Sequence, residues 1–561
     1  MNNSPVIIPS WLDEDDYTVA HAVLTPKTNT REKIIECRIG PVVPVIFLLG
    51  IMGTNLRSKD NAPVWRPPNT DGIVDILCAI FSLLGWWSRG PAARQTRLNP
   101  ETTRIDDRGP IRYAGSGLPS EAAARARGWG ELHADSYHSF LCYLQAQLNN
   151  AMEYGEIIGD WAGPVEGTEL TNKRSREKPI LMTAPGEFGA SEPGPALTHD
   201  ALKRFAKNQY PVYAVGYNWL LSNADSAKYV HQRIKNICAQ YGDDTKVIIV
   251  THSMGGIVAR AIAALEPDGK DLIYGVVHGA QPATGAPMAA KRFRTGGEDF
   301  LGRALFGGND AEWTAVAASS PAALELMPMP DYRNGLPWWR IENEDGSAVM
   351  ALPKRNALKD IYTSSAWYGL IPDESLIDPA KILRKAAQEA GEKPDLRQMF
   401  GKVVRKAIRF QRAISGKYHG TTYVLYGEGE VIKQDAESEK PDKLMSFGTV
   451  AWKGCLPRGT TEKDLQEAHL LHDNNFGVLT ISIGGKAIVL TIQGPDERGD
   501  GTVLISSAAA QRGKSGVQQT FQQKGFDHQH CFKHPWPRWA TLYAIGKIAQ
   551  VIPEEESCVS K

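Results

Sequence analysis

Short apolar runs closed by small or turn-forming residues recur along this chain and alternate with stretches of helical period. Val45-Ile46-Phe47-Leu48-Leu49, Val212-Tyr213-Ala214-Val215-Gly216, Lys246-Val247-Ile248-Ile249-Val250, Leu272 to His278 and Thr422-Tyr423-Val424-Leu425-Tyr426 read as strands. Their near-continuous hydrophobicity is what a parallel strand covered on both faces requires. Ahead of the third run, Ala227, Val230, Ile234, Ile237 and Tyr241 share one helical face, and Gly242 stops it. After it, Ile257 to Leu265 is a helix-forming run that ends at Pro267. Asp135 is placed to cap a helix with Tyr137, Leu141, Leu144 and Leu148 on its apolar face. A closing helix runs from about Pro537 to Val551. This alternation predicts an α/β chain with a mostly parallel central sheet and helices on both faces.

Breaks in the rhythm give the domain plan. Residues 1–44 form an N-terminal arm, and 45–283 the first part of the core with an irregular insert from about 57 to 210. Residues 284–420 are mostly helical and interrupt the sheet, so they are expected to cap the strands' C-terminal edge as a lid. The second part of the core is 421–551, with a hairpin insert at about 430–497, and a tail follows at 552–561. That hairpin is Val478 to Ile483 and Ala487 to Ile492, turned at Gly484-Gly485. Near 402–414 a helix carries Lys402, Arg405, Lys406, Arg409 and Arg412 opposite Val403, Ala407, Phe410 and Ile414. Such a stripe is either a solvated face or a contact for anionic membrane. Ile73 to Trp87 is apolar except for Asp75 and Ser82 and is short for a bilayer span. It reads as a buried helix or as an interfacial lid segment.

Composition removes several function classes. Lys plus Arg and Asp plus Glu each number 63 in 561 residues, so the basic excess of a dedicated nucleic-acid binder is missing. The seven cysteines are scattered without a C-x-x-C pair, and no metal site, disulfide framework or cofactor motif is readable. The acidic N-terminus, with Asp13-Glu14-Asp15-Asp16, lacks the pattern of a secretory signal peptide. The expectation is a protein made in the cytoplasm without one.

Candidate chemistry centres on Thr251-His252-Ser253-Met254-Gly255-Gly256, between the third strand and its helix. A serine in a strand-to-helix turn is the context of a nucleophile elbow. Residues two before and two after must be small; Gly255 complies, and Thr251 departs from the usual glycine. A serine hydroxyl needs a general base, and the base needs a carboxylate. Asp500, between two glycines, and then His528 supply these in the order acid, histidine. His530 and His534 compete with His528 for the base. The oxyanion donors are expected to be the backbone N–H groups of Met254 and Ile51, with Met52 as runner-up in the Gly50-Ile51-Met52-Gly53 loop.

Together these residues resemble the α/β-hydrolase lipase branch of lecithin:cholesterol acyltransferase and GPI-inositol deacylase. The carriers are Phe47 to Leu56, Tyr217-Asn218-Trp219, Thr251 to Gly256 and Gly499 to Val503. The likeness is closer to bacterial type VI secretion lipase effectors, through Arg127 to Glu131, Pro282 to Pro287 and Asp527-His528-Gln529. The resemblance implies a phospholipase or lipase working through an acyl-enzyme on Ser253, and its His-Gln pair favours His528 as the base. It also implies a phospholipid membrane substrate, a cognate immunity protein, a secretion-spike partner and action at target-cell membranes. An acyltransferase or GPI-type deacylase, and a lipid-binding protein with a dead hydrolase fold, are the alternatives.

Overall fold

The computed structural model describes residues 40–67, 89–113, 118–153, 156–162, 180–297, 307–431 and 442–553, with part of the first 39 and two isolated positions. Apart from Gly85, the Ile73 to Trp87 segment lies outside the described residues. Six strands form the central sheet: β1 (Val45–Leu48), β2 (Val212–Ala214), β3 (Val247–His252), β4 (Ile273–Gly279), β5 (Thr422–Gly427) and β6 (Val517–Gln523). Their spatial order is β2-β1-β3-β4-β5-β6, and every pairing is parallel. All strand C-termini therefore reach one edge. β3, which leads to the serine, sits inside the sheet and is fully buried.

The period-2 geometry of the strands splits their side chains between two cores. Val45, Phe47, Ile248, Val250, Val277 and Leu425 pack on one face with helices α1 (Ala134–Asn149) and α5 (Pro535–Ile548). Ile46, Leu48, Ile249 and Val276 pack on the other with α2 (Asn223–Cys238) and α3 (Gly255–Leu265). Apolar residues at helical spacing drive these contacts: Tyr137, Leu141, Leu144 and Leu148 of α1 are all buried. Asp135 is not the cap of α1. His133 holds the N-cap position, without a side-chain cap bond, and Asp135 lies in the first turn, where its charge meets the helix dipole. α2 ends at Cys238, before the turn that reaches Gly242.

A second group of elements has its own core. The 284–420 region carries several helices and also supplies strands Trp339–Asn343 and Ala348–Leu352. Trp339–Asn343 pairs in parallel with Val450–Gly454, and that strand joins the hairpin of Val478–Ile483 and Lys486–Ile492, edged by His469–Asp473. The hairpin read at 478–492 forms one six-stranded sheet with the two strands of the 284–420 region. Trp339, Ile341, Trp452, Leu479 and Leu490 bury against Phe293, Phe400 and Val404 of the cap helices. Helix α4 (Leu396–Ile414) turns Phe400, Val404, Ala407, Phe410 and Ile414 inward, with Val404 taking the place expected of the half-buried Val403. Lys402, Arg405, Lys406, Arg409 and Arg412 are exposed.

Two buried side chains join cap and core. Glu325 accepts from the Ser222 hydroxyl at 2.6 Å and the Asn223 backbone N–H at 2.7 Å, closing the N-terminus of α2. Arg260 of α3 donates to the carbonyls of Ala283, Ile414 and Lys417. A buried guanidinium is tolerable when its donors are satisfied in this way.

A close backbone contact lies where β3 turns into α3. A Cβ on Gly255 would stand 2.5 Å from the Leu48 carbonyl oxygen and 2.6 Å from that of Leu49, and backbone cannot give way cheaply. Gly255→Ala is expected to destabilise the protein by about 1–3 kcal/mol, read as a lower denaturation midpoint in urea at unchanged slope. A second prediction concerns acid. Burial pushes His252 and His278 down to about 3 from an ordinary 6.5. The unfolded chain then binds protons that the folded one refuses, so stability falls as pH drops from about 6.5 toward 3. Urea titrations across that window should show the loss, and a flat stability from pH 7 to 4 would contradict it.

Candidate active site

Ser253 adopts φ 54°, the left-handed region that costs a non-glycine residue on the order of 1–3 kcal/mol. The surroundings hold it there. Its N–H donates to the Gly279 carbonyl at 2.8 Å, and its carbonyl accepts from the Gly256 N–H at 3.0 Å. The Thr251 departure has a local reason: its hydroxyl lies 3.0 Å from His278 Nδ1 on β4, and the residue is wholly buried. A threonine is accommodated at that position because its polar atom has a partner.

His528 Nε2 stands 2.9 Å from Ser253 Oγ, and His528 Nδ1 stands 2.8 Å from Asp500 Oδ2. The carboxylate requires a proton on Nδ1, which leaves Nε2 to accept from the serine hydroxyl. Asp500 is 2% exposed. Its other oxygen accepts from the backbone N–H groups of Thr502 at 3.0 Å and Val503 at 2.7 Å. Gly501, at φ 90°, makes the turn that aims these amides. A Cβ on Gly427, at the end of β5, would lie 3.0 Å from Asp500 Cβ, so the acid sits at the sheet edge despite the long insertion before it. His530 instead pairs with Asp527 at 2.9 Å, and His534 caps α5.

The loop after β1 abuts the serine: a Cβ on Gly50 would be 3.0 Å from Ser253 Cβ. Met254 and Ile51 flank this point, Met254 as the residue after the serine and Ile51 within the loop. The loop is clamped along its length. Tyr217 donates to the Leu49 carbonyl at 2.6 Å and Trp219 Nε1 to the Thr54 carbonyl at 3.2 Å. Asn55 Nδ2 donates to the Leu132 carbonyl at 3.0 Å, and the His133 N–H donates to the Gly53 carbonyl at 2.9 Å. The Arg127 to Glu131 stretch buttresses the same region, because Glu131 accepts from the Gly216 N–H at 2.8 Å and from Arg233 at 2.9 Å.

Two participants, His252 and Tyr137, escaped sequence reasoning, and a third, Gln529, was marked only through the His-Gln pair of the resemblance. His252 Nε2 lies 2.9 Å from the His528 carbonyl oxygen, and its Nδ1 lies 3.1 Å from the Tyr137 hydroxyl. Burial first, and then the neighbouring His528, hold His252 neutral. Gln529 Nε2 donates to Ser136 at 2.7 Å. Tyr137 sits on the apolar face of α1 and reads from sequence as core; nothing local marks its hydroxyl as a partner for the elbow.

With this geometry in hand, the comparisons with known proteins are specific. Residues 203–303 match the family model described as a PGAP1-like alpha/beta domain. GPI inositol-deacylase of Mus musculus is 33% identical over 131 residues, 21% of this chain and 14% of that protein. The Xenopus laevis protein of the same name is 29% identical over 165 residues, 25% of this chain and 17% of its own length. The chain thus spans less than a fifth of these curated relatives. A solved structure titled "The crystal structure of Tle4-Tli4 complex" superposes with a TM-score of 0.75 at 31% identity, covering 91% of this chain and 99% of that one. A likeness of that identity over 91% of this chain and 99% of that one shows the family: this is an α/β-hydrolase lipid esterase that belongs to the Tle4 family of type VI secretion lipase effectors.

Proposed function

We propose that Ser253, His528 and Asp500 are the catalytic triad of a phospholipase that cleaves acyl esters in target-cell membranes. The observation that carries this reading is the unbroken contact from Asp500 through His528 to Ser253, on a serine held in the left-handed turn. Ser253 Oγ attacks the ester carbonyl while His528 Nε2 takes its proton. The N–H groups of Met254 and Ile51 stabilise the developing oxyanion. Collapse of the tetrahedral intermediate expels the lysolipid alkoxide, which receives the proton from His528. Water, deprotonated by His528, then releases the fatty acid and restores Ser253. Asp500 keeps its charge throughout and stabilises the imidazolium.

Membership of the effector family supports an immunity protein as cognate partner, delivery through the secretion spike, and action at the target membrane. Among the described residues no helix is long and apolar enough to cross a membrane. The local likeness to GPI inositol-deacylases favours a second reading, in which a glycolipid acyl group is the substrate or an alcohol replaces water as acceptor.

Mass spectrometry of products from mixed phospholipid vesicles, with and without an acceptor alcohol, separates these readings. Fatty acid and lysolipid release in both conditions is expected. Ser253→Ala should lower turnover on the order of 10⁶-fold and Asp500→Asn about 10⁴-fold. Wild-type hydrolysis by Ser253→Ala, or no labelling of the native enzyme by a fluorophosphonate, would overturn the triad.

A further inference from the structure

We propose that His252 and Tyr137 are positioning residues for His528, and that helix α1 is the platform on which the base is held. The proposal rests on reading Ser253, His528 and Asp500 as the triad. His528 belongs to the loop after β6, five residues beyond the last residue of that strand. A loop is a poor place for a group that must stay within a few tenths of an ångström of its partner.

Two tethers from α1 supply the missing rigidity. In the first, Tyr137 reaches His252 Nδ1 at 3.1 Å, and His252 Nε2 reaches the His528 carbonyl at 2.9 Å. A carbonyl oxygen only accepts, so Nε2 of His252 carries the proton. Nδ1 is then an acceptor, and the Tyr137 hydroxyl donates to it. One protonation pattern satisfies the whole chain. The Gly50 amide also acts on the Tyr137 oxygen, and a Cβ on Gly53 would come within 3.1 Å of the Tyr137 ring and hydroxyl. The tyrosine therefore lies directly under the loop proposed to hold the oxyanion. In the second tether, Gln529 Nε2 donates to Ser136 Oγ at 2.7 Å, and Ser136 Oγ is 2.7 Å from His133 Nδ1. Residues 133, 136 and 137 lie within about one turn at the N-terminal end of α1.

This arrangement gives His252 a function its position in the motif does not reveal. The residue before the serine points away from it, yet it fixes the backbone of the histidine that activates that serine. His252 is 2% exposed and its ring centroid lies 5.0 Å from that of His528. The chain also registers the base loop against the oxyanion loop, since Tyr137 meets the oxyanion loop at Gly50 and reaches the base loop through His252. Neither His252 nor Tyr137 touches the reacting atoms. Their effect is on where His528 stands.

The test uses the full-length enzyme, a soluble short-chain ester, and the variants His252→Phe, His252→Gln and Tyr137→Phe. His252→Phe keeps the ring volume and loses both hydrogen bonds. Displacing a catalytic group by about 1 Å costs on the order of 10²-fold, so kcat should fall by about that much with KM within about twofold of wild type. His252→Gln can donate to the His528 carbonyl and accept from Tyr137, and should recover most of the loss. Tyr137→Phe leaves His252 without its donor and should fall between them. The pH profile of kcat should move in His252→Phe and return in His252→Gln, because the His528–Asp500 pairing changes with the backbone that carries it. Wild-type kcat and pH profile in His252→Phe would overturn the proposal. So would equal losses in the Phe and Gln variants that track only their lowered stability in urea. If wild type and Ser253→Ala are equally active on this ester, the triad reading fails instead, and the two failures are told apart.

Discussion

Everything in the site is measured from one close approach, that of helix α3 to the carbonyl end of β1. Gly255 leaves no room for a Cβ between itself and the Leu48 and Leu49 carbonyls, so the chain must reverse direction within Ser253 and Met254. A left-handed serine is the solution that keeps β3 in register with both neighbours. Its strain of on the order of 1–3 kcal/mol is offset by bonds to Gly279 on one side and Gly256 on the other. The same approach brings Gly50 to within contact of Ser253. One packing constraint therefore sets the serine's exposure, its distance to the proposed oxyanion loop and its distance to His528.

The groups around the serine come from loops, and each loop is tied to something rigid. Tyr217 and Trp219 hold the loop after β1 from the side of β2. His133 and the Asn55–Leu132 bond hold it from the side of α1. Asp500 is held by its own tight turn and by the wall that Gly427 leaves open. Several residues that carry the family likeness thus do no chemistry. Glu131 is an example: buried, paired with Arg233 and bonded to the Gly216 amide, it supports the strand end from which the clamps project. Burial chiefly, with Asp107 adding to it, pushes its carboxyl up, and the arginine and amide pull it partway back, so its place depends on those partners.

What could be read from sequence divides along a physical line. Five of the six strands of the central sheet, the elbow and the glycine turn at Asp500 depend on local periods and local sterics, and those are written in neighbouring residues. The cap sheet was not legible because one of its pairings joins Trp339–Asn343 to Val450–Gly454, more than a hundred residues apart, and no local pattern encodes a partner so distant. Thr251 looked like a defect in the motif; it becomes reasonable only once β4 presents His278 beside it. Tyr137 was legible as core and is core, but its hydroxyl is also the donor that orients a histidine. Helix α4 shows the same limit on a smaller scale, since a shift of one residue decides whether Val403 or Val404 faces inward.

The remaining step of synthesis concerns how the cap and the acid share a foundation. Ser507, just beyond the Asp500 turn, donates to the Gly285 carbonyl at 2.7 Å and accepts from the Thr284 N–H at 3.2 Å. Thr284 and Gly285 are the first residues of the cap. A Cβ on Gly285 would meet the Met327 carbonyl at 2.2 Å, so the root of the cap is packed backbone to backbone against its own interior. Glu325, two residues earlier, latches that interior to the start of α2, and Arg260 binds the Ala283 carbonyl from the serine's own helix. A displacement of the cap root would be felt at Asp500 through Ser507 and at α3 through Arg260. The root of the 284–420 region is therefore tied to the acid's turn through Ser507 and to the serine's helix through Arg260.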